Sequence, residues 1–564
     1  MSVIGVRHLG IAISIVFLTG LTAGGAQRGL FFSPHNFSAS RQAGAPGYGS
    51  SEVRICIFCH TPHHARAEGP LWSRDTAYQD AYQYQMYASP TMTATINPRP
   101  TGASRLCLGC HDGTIAVGTL AGGYVLTPAP AVTGNARIAL VNNGKYDLSG
   151  DHPISFIYPV KTELAAPSAL PPEVKLGPNN SVECTVCHDP HSNEFGSFLV
   201  KYDPDGTQLC TSCHLTPGWV TAPFSIHKTT NTQGCGNCHQ SHKSPGPKNL
   251  LKSGPEEKNC ILVCHQTVAT AFSNLYVHPV TAYNDVHKGN EVLPATDKHV
   301  KCVDCHNPHR VTSQPAPAPP PASAFPRQVS GLLSGVRGIS SGGAQVNPAQ
   351  YEYEVCYRCH SGAATAVNFV GLFGPYPLLP TRIANTVDER QRFTLTNLSY
   401  HPVVGVTNQP LTSYAVKSLI VPTTGTIIYC SDCHISHGSQ YPHLFRARYD
   451  TYSEPYFLTN YYLCYLCHNE AFVMNPLASG FTYHQSHVNP AQLNRQPVPC
   501  SGCHDPHGVV ANYHLINFDT TLLPAAIDLP VLLQTYISTG PGQGSCTVSC
   551  HTTGSPNKYT HVYP

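Results

Sequence analysis

Apolar residues in this chain come in short runs broken by proline and glycine, and long amphipathic helices are scarce. The pattern predicts a mostly irregular, loop-rich fold, with short helices around recurring cysteine motifs and few strands. Composition reinforces this: 50 prolines and 46 glycines among 564 residues, and charged residues at 11%, about half the share usual in globular domains. With 41% hydrophobic content, length alone does not guarantee a large aliphatic core. Something besides side-chain packing must hold such a chain together.

The sustained apolar run Leu9 to Leu21 follows Arg7 and precedes the small residues Gly24-Gly25-Ala26. Residues 1–26 are therefore expected to be a secretory signal, since the run is shorter than the roughly 20 residues of a membrane span. No cysteine precedes Cys56, so the residue for a lipoprotein anchor is missing, and no direct membrane span is expected elsewhere.

The 24 cysteines decide the chemistry. All fall in Cys-x(2 or 3)-Cys-His motifs, and none is left over. Ten have two intervening residues: Cys56/Cys59, Cys107/Cys110, Cys184/Cys187, Cys210/Cys213, Cys235/Cys238, Cys302/Cys305, Cys356/Cys359, Cys430/Cys433, Cys464/Cys467 and Cys500/Cys503. Two have three: Cys260/Cys264 and Cys546/Cys550. Two thiols a short turn apart can add to the two vinyl groups on one edge of a haem, and the next histidine then lies under the iron as its proximal ligand. Those histidines are His60, His111, His188, His214, His239, His265, His306, His360, His434, His468, His504 and His551. A disulfide framework or zinc sites would not require a histidine after every second cysteine. The motifs imply twelve covalently attached haems c.

Twelve irons need further axial ligands, and methionine cannot supply them: beyond Met1 only Met86, Met92 and Met474 exist. Setting aside the proximal histidines and His8 leaves 19 of the 32, enough to make the irons mostly bis-His and, without methionine ligands, mostly low in potential. Alternate motifs continue as Cys-x-x-Cys-His-x-x-His, with second histidines His63, His191, His242, His309, His437 and His507. This strict alternation makes the haem pair the repeating unit. A short tether makes it hard for such a histidine to reach the far face of its own iron, so it is expected to ligate a neighbouring haem; the alternative is a hydrogen-bonding role behind the ligands. A further histidine precedes each doubled motif: His35, His152, His227, one of His278, His287 and His299, then His401, then His484 or His487. His278-Pro279-Val280 matches His401-Pro402-Val403 and favours His278, while His487 is preferred as nearer its motif. His64, His443, His514 and His561 are expected at the surface or against propionates.

Six haem-pair modules follow, at about 27–140, 141–220, 221–272, 273–395, 396–475 and 476–564. The spacers Ala121–Lys145, Val367–Ser399 and Val509–Gly544 are expected as loops or small hairpins. A linker at 312–343 begins with the proline-rich Thr312 to Pro326 and continues into the glycine-rich Ser330 to Gly343, a surface excursion or a hinge. At about 45 residues per site the haems must form much of the core, and no folded state is expected without them.

The N-terminal third resembles the extracellular multihaem cytochromes of metal-reducing bacteria and archaea that polymerise into nanowire filaments. The resemblance rests on Ser33-Pro34-His35-Asn36, CIFCHTPHHARAEGPLWSR (Cys56 to Arg74), YQMYASPT (Tyr84 to Thr91), SRLCLGCHDGTIAVG (Ser104 to Gly118) and GDHPISF (Gly150 to Phe156). It is tight over about residues 33–160; beyond, only the doubled-motif pattern is shared, and the better-known filament members have fewer haems. The resemblance implies one continuous haem stack, with alternating parallel and perpendicular contacts, wrapped by a loop-rich chain. It also implies an axial ligand donated between subunits, a role that His35's position invites, and head-to-tail association into a fibre.

The polypeptide carries a formal charge of +2; two propionates per haem take the holoprotein to roughly −10, and no concentrated basic stretch supports a nucleic-acid role. The expected function is electron transfer outside the cytoplasm, as a filament subunit or as a monomeric periplasmic or outer-surface carrier or conduit component, with other redox proteins and extracellular acceptors as partners. A competing class is a multihaem reductase of a small oxyanion, which needs an open iron position; a third is a surface fibre in which haems act as staples.

Overall fold

The computed structural model describes residues 29–41, 48–127, 130–201, 207–229, 234–282, 291–293, 299–314, 328–362, 382, 388–406, 428–449, 456–479, 481, 483–490 and 497–519, with the backbone of the strands Thr535–Gly540, Gln543–Thr547 and Thr560–Tyr563. Most of these residues lie in loops. The longest helices are Gly102–His111 and Glu352–His360, and most strands pair only two or three residues. No described helix is long and apolar enough to cross a membrane.

Doubled motifs form single helical turns, such as Cys56–Phe58, Cys184–Val186, Cys302–Cys305 and Cys500–Cys503. Single motifs vary more: two end the longer helices Gly102–His111 and Glu352–His360, one ends the six-residue helix Gln208–Cys213, and two lie at the four-residue helices Lys258–Ile261 and Tyr462–Tyr465. In either case the motif histidine donates its backbone N–H to the first cysteine's carbonyl, as His60 does to Cys56 at 2.8 Å and His468 to Cys464 at 2.9 Å. The longer Cys260 motif makes the same closure, His265 to Cys260 at 3.0 Å. Its extra residue widens the turn by one position, and Leu262 and Val263 stay exposed.

Small apolar clusters, rather than one core, line the chain. The largest joins Leu293, Ile339, Tyr353, Tyr357, Phe393, Val403 and Val404, and others gather around Phe156 and Tyr158 or around Tyr449 and Tyr461. Of the expected spacer hairpins, Leu140–Asn142 with Lys145–Asp147 closes the first, and Thr535–Gly540 with Gln543–Thr547 closes the last. The linker segment 315–327 and most of Val367–Ser399 lie outside the described residues.

Two-residue ladders bring different modules together. Gly438–Ser439, directly after His437, pairs antiparallel with Tyr276–Val277, directly before His278. Gly508–Val509 pairs in the same way with Ser399–Tyr400, directly before His401. The backbone approach needs glycine: a Cβ at Gly438 would lie 2.1 Å from the Ala271 carbonyl oxygen, and one at Gly508 would lie 2.0 Å from that of Arg392. Overpacking of this kind costs about 1–3 kcal/mol. Gly508→Ala is therefore expected to lower the thermal midpoint of the holoprotein, whereas Ala at Gly122, where a Cβ meets nothing within 4 Å, should cost less; melting curves of both variants check this.

Candidate haem centres

Eleven motif histidines have a second histidine ring opposite, with ring centres 5.9–6.4 Å apart. A metal bonded at about 2 Å to one nitrogen of each ring, with each ring centre about 1 Å farther out, separates the centres by about 6 Å. The described residues therefore fit an iron gripped from both sides. The twelfth set lies largely outside the description: His551 and Cys550 are not described, and of Cys546 only the strand backbone is.

The pairs fall into two classes. Five of the six second histidines of doubled motifs reach back to the proximal histidine of the preceding doubled motif: His191 to His60, His242 to His188, His309 to His239, His437 to His306 and His507 to His434. Their ring planes differ by 13–42°. The preceding histidines face the single motifs: His35 with His111, His152 with His214, His227 with His265, His278 with His360 and His401 with His468. These planes cross at 61–77°.

Backbone carbonyls orient the rings. Behind the doubled motifs the chain returns through left-handed residues, and a carbonyl there accepts from the proximal Nδ1: Pro70 for His60 at 2.7 Å, Asn249 for His239 at 2.9 Å, His443 for His434 at 2.7 Å and His514 for His504 at 2.6 Å. On the other side, the carbonyl just before a doubled motif's second histidine takes the Nδ1 of a facing ligand candidate. His227 donates to Pro308 at 2.8 Å, His278 to Ser436 at 2.6 Å and His401 to Pro506. With the hydrogen on Nδ1, the Nε2 lone pair is free for a metal. Burial pulls His152 and His360 down to about 4, with His214 and His278 respectively adding to the effect.

Several placements differ from the sequence expectation. His35 faces His111 of its own chain, 6.1 Å away, which leaves no free ring there to offer another subunit. His484, not His487, stands opposite His504 at 6.2 Å. The two are one turn apart; Ser479 Oγ lies 2.6 Å from the His484 Nδ1, whereas His487 Nδ1 donates to the Tyr483 carbonyl at 2.9 Å. His299 is no ligand candidate, because hydrogen bonds to Asp304 and Glu291 raise it to about 10 and hold it as a cation. His287 is not described, and of His561 only the backbone is. His443 and His514, expected at the surface or against propionates, contribute their carbonyls, a role any residue type can play and which leaves no mark in side-chain chemistry. His63 and the adjacent His64 are exposed, and among the described residues no histidine ring faces His63.

The thiols line up in chain order. Cys107 is within hydrogen-bonding reach of Cys184, Cys260 of Cys302, Cys356 of Cys430 and Cys464 of Cys500. Between these contacts, second cysteines approach the following motif. Burial, then the nearby Cys213, pushes Cys187 up to about 12; burial, then Cys467, does the same for Cys433, to about 11. Cys59 lies near Cys110, Cys238 near Cys264 and Cys305 near Cys356. The fourth and fifth motifs meet through His214 and His239.

Comparison with known proteins bears on the attachment motifs. The doubled CXXCH motif family model matches residues 177–216 and 423–472. The multiheme cytochrome MtrA of Shewanella baltica (strain OS185) is 24% identical over 142 residues, which cover 23% of this chain and 37% of that protein. The attachment motifs, the opposed histidines and these matches together identify the chain as a multihaem c-type cytochrome.

Proposed function

We propose that the chain holds twelve bis-His haems in one continuous train and carries electrons along it outside the cytoplasm, as a subunit of a head-to-tail filament. The thiol succession carries this proposal. Each motif from the first to the eleventh lies beside the next, so the porphyrins bonded to them would be consecutive neighbours. The contacts alternate between first cysteines and second cysteines, as a stack with two alternating contact geometries requires. Opposed histidines on every described iron position leave no open face for substrate, which favours conduction over small-molecule reduction.

The repeat also suggests how the filament closes. The other five doubled motifs send their second histidine back one pair, whereas His63 of the first faces no histidine ring among the described residues. His63 is then free to ligate an iron in the last pair of the adjoining chain, the role the family resemblance had offered to His35. Such a heterologous contact does not close on itself.

Three measurements test this. Pyridine haemochrome analysis of the secreted protein should give twelve haems per chain, with a wholly low-spin spectrum and no rapid carbon monoxide binding by the assembled form; one readily reacting haem in the assembly would favour a reductase. Axial rings at crossed planes leave two iron d orbitals nearly equal in energy, whereas near-parallel rings split them. Electron paramagnetic resonance of the oxidised protein should therefore show two low-spin classes in comparable amounts. Finally, His63→Ala should abolish filaments in electron micrographs while the chain still loads its haems; filaments of unchanged length, or monomers in both proteins, would exclude this linkage.

A further inference from the structure

The groups behind the ligand candidates are not uniform. The proximal rings of the described doubled motifs, and the five preceding histidines that face single motifs, donate Nδ1 to neutral backbone carbonyls. His242 is different. Its Nδ1 lies 2.9 Å from Asp151 Oδ1, and that carboxylate's side chain is only 7% exposed. The same oxygen accepts the Lys243 backbone N–H at 3.3 Å. The Lys243 ammonium points away, toward the carbonyls of Gly134 and Asn135. Among the described residues no lysine or arginine pairs with Asp151.

His507 offers the contrast. Glu389 lies 2.8 Å from its Nδ1, but Arg392 bonds the other Glu389 oxygen at 2.9 Å and comes within 3.0 Å of the same ring nitrogen. There the guanidinium offsets the carboxylate. His191 lies 3.5 Å from the half-exposed Asp189, too far for a strong hydrogen bond.

An imidazole that shares its Nδ1 hydrogen with a carboxylate is a stronger donor through its other nitrogen, so the more highly charged iron is favoured. A buried negative charge close by acts in the same direction, because little solvent screens it. We propose that Asp151 is a positioning residue that lowers the potential of the third haem, held between His188 and His242, relative to haems whose ligands bond only to carbonyls. The ferric iron takes up one electron and releases no proton, and the hydrogen stays between Nδ1 and Oδ1. The consequence is an uphill step inside the train, so its energy profile is not flat.

The inference rests on the proposed bis-His haems, and its test separates the two. Haem counting and the low-spin spectrum of the purified full-length holoprotein examine the ligation. Potentiometric titration followed by absorbance then compares Asp151→Asn with the parent. The expected result is that one-twelfth of the α-band amplitude moves upward by about tenfold in the ferric-to-ferrous ratio, or about 59 mV for one electron. Asp189→Asn should leave the curve unchanged. Superimposable curves at full haem content, or an equal shift in Asp189→Asn, would overturn the proposal while leaving the ligation intact. If Asp151→Asn loses haem, Asp151→Glu decides: a retained low-potential component supports the charge effect, and its loss in a fully loaded, low-spin protein refutes it.

Discussion

In the proposed bis-His arrangement two imidazoles must meet one iron along a single axis from opposite sides, and much of what the described residues do serves that requirement. Neither histidine of a pair can be placed by its own motif alone. The proximal one is set by a helical turn whose closing hydrogen bond runs from the histidine N–H to the first cysteine carbonyl, as between His60 and Cys56. The facing one comes from the next module at five doubled motifs, as His242 does for His188, and from the leading segment of the same module at the single motifs, as His401 does for His468. Its approach depends on ladders only two residues long, such as Gly508–Val509 against Ser399–Tyr400. Those short ladders explain why so little regular structure is needed. Their task is to fix an approach, and the cofactor supplies the contact area that longer strands would otherwise provide.

This division of labour accounts for the scattered core. Clusters such as that around Tyr353 and Tyr357 lie beside motif helices rather than between layers of secondary structure. A polypeptide with apolar groups so dispersed gains little by collapsing on itself. Folding, haem attachment and iron ligation are then one coupled process, as metal binding is in other small-core domains.

How much of this was legible in the sequence follows from what each feature depends on. Thioether attachment demands fixed residue types at fixed spacing, so the motifs, their alternation and the loop-rich class could be read directly. The choice of His278 was also readable, because the His-Pro-Val string repeats at His401 and both follow a two-residue strand. Nearness along the chain misled at His487: one helical turn decides which ring faces His504, and Ser479 anchors the one farther from the motif. His35 was legible as a ligand candidate, but not the ring it faces, since its partner His111 lies across a segment whose closure is tertiary. The carbonyls of His443 and His514 had no readable signal, because hydrogen bonding by the backbone does not depend on residue type.

The backward reach of the doubled motifs has a structural consequence of its own. Each of these pairs is completed by the next, as His188 is by His242 and His239 by His309. Stability is thus shared between adjacent units, as in solenoid repeats, where the ends are the weak points and need caps. The sixth doubled motif uses a local substitute: His484 precedes its own motif and faces His504, with its ring at 33°, in the near-parallel class that later motifs supply elsewhere. His63 of the first doubled motif is spaced like its five counterparts, yet among the described residues no histidine ring faces it. In the proposed filament the adjoining chain takes up that ligand, so a further chain is added without redesigning either module. In the same geometry Asp151 sits one residue before His152 and beside His242, so ligand candidates for two successive motifs are positioned around one buried charge, and in the proposed train the spacing that joins the modules would bring that charge beside the electron path.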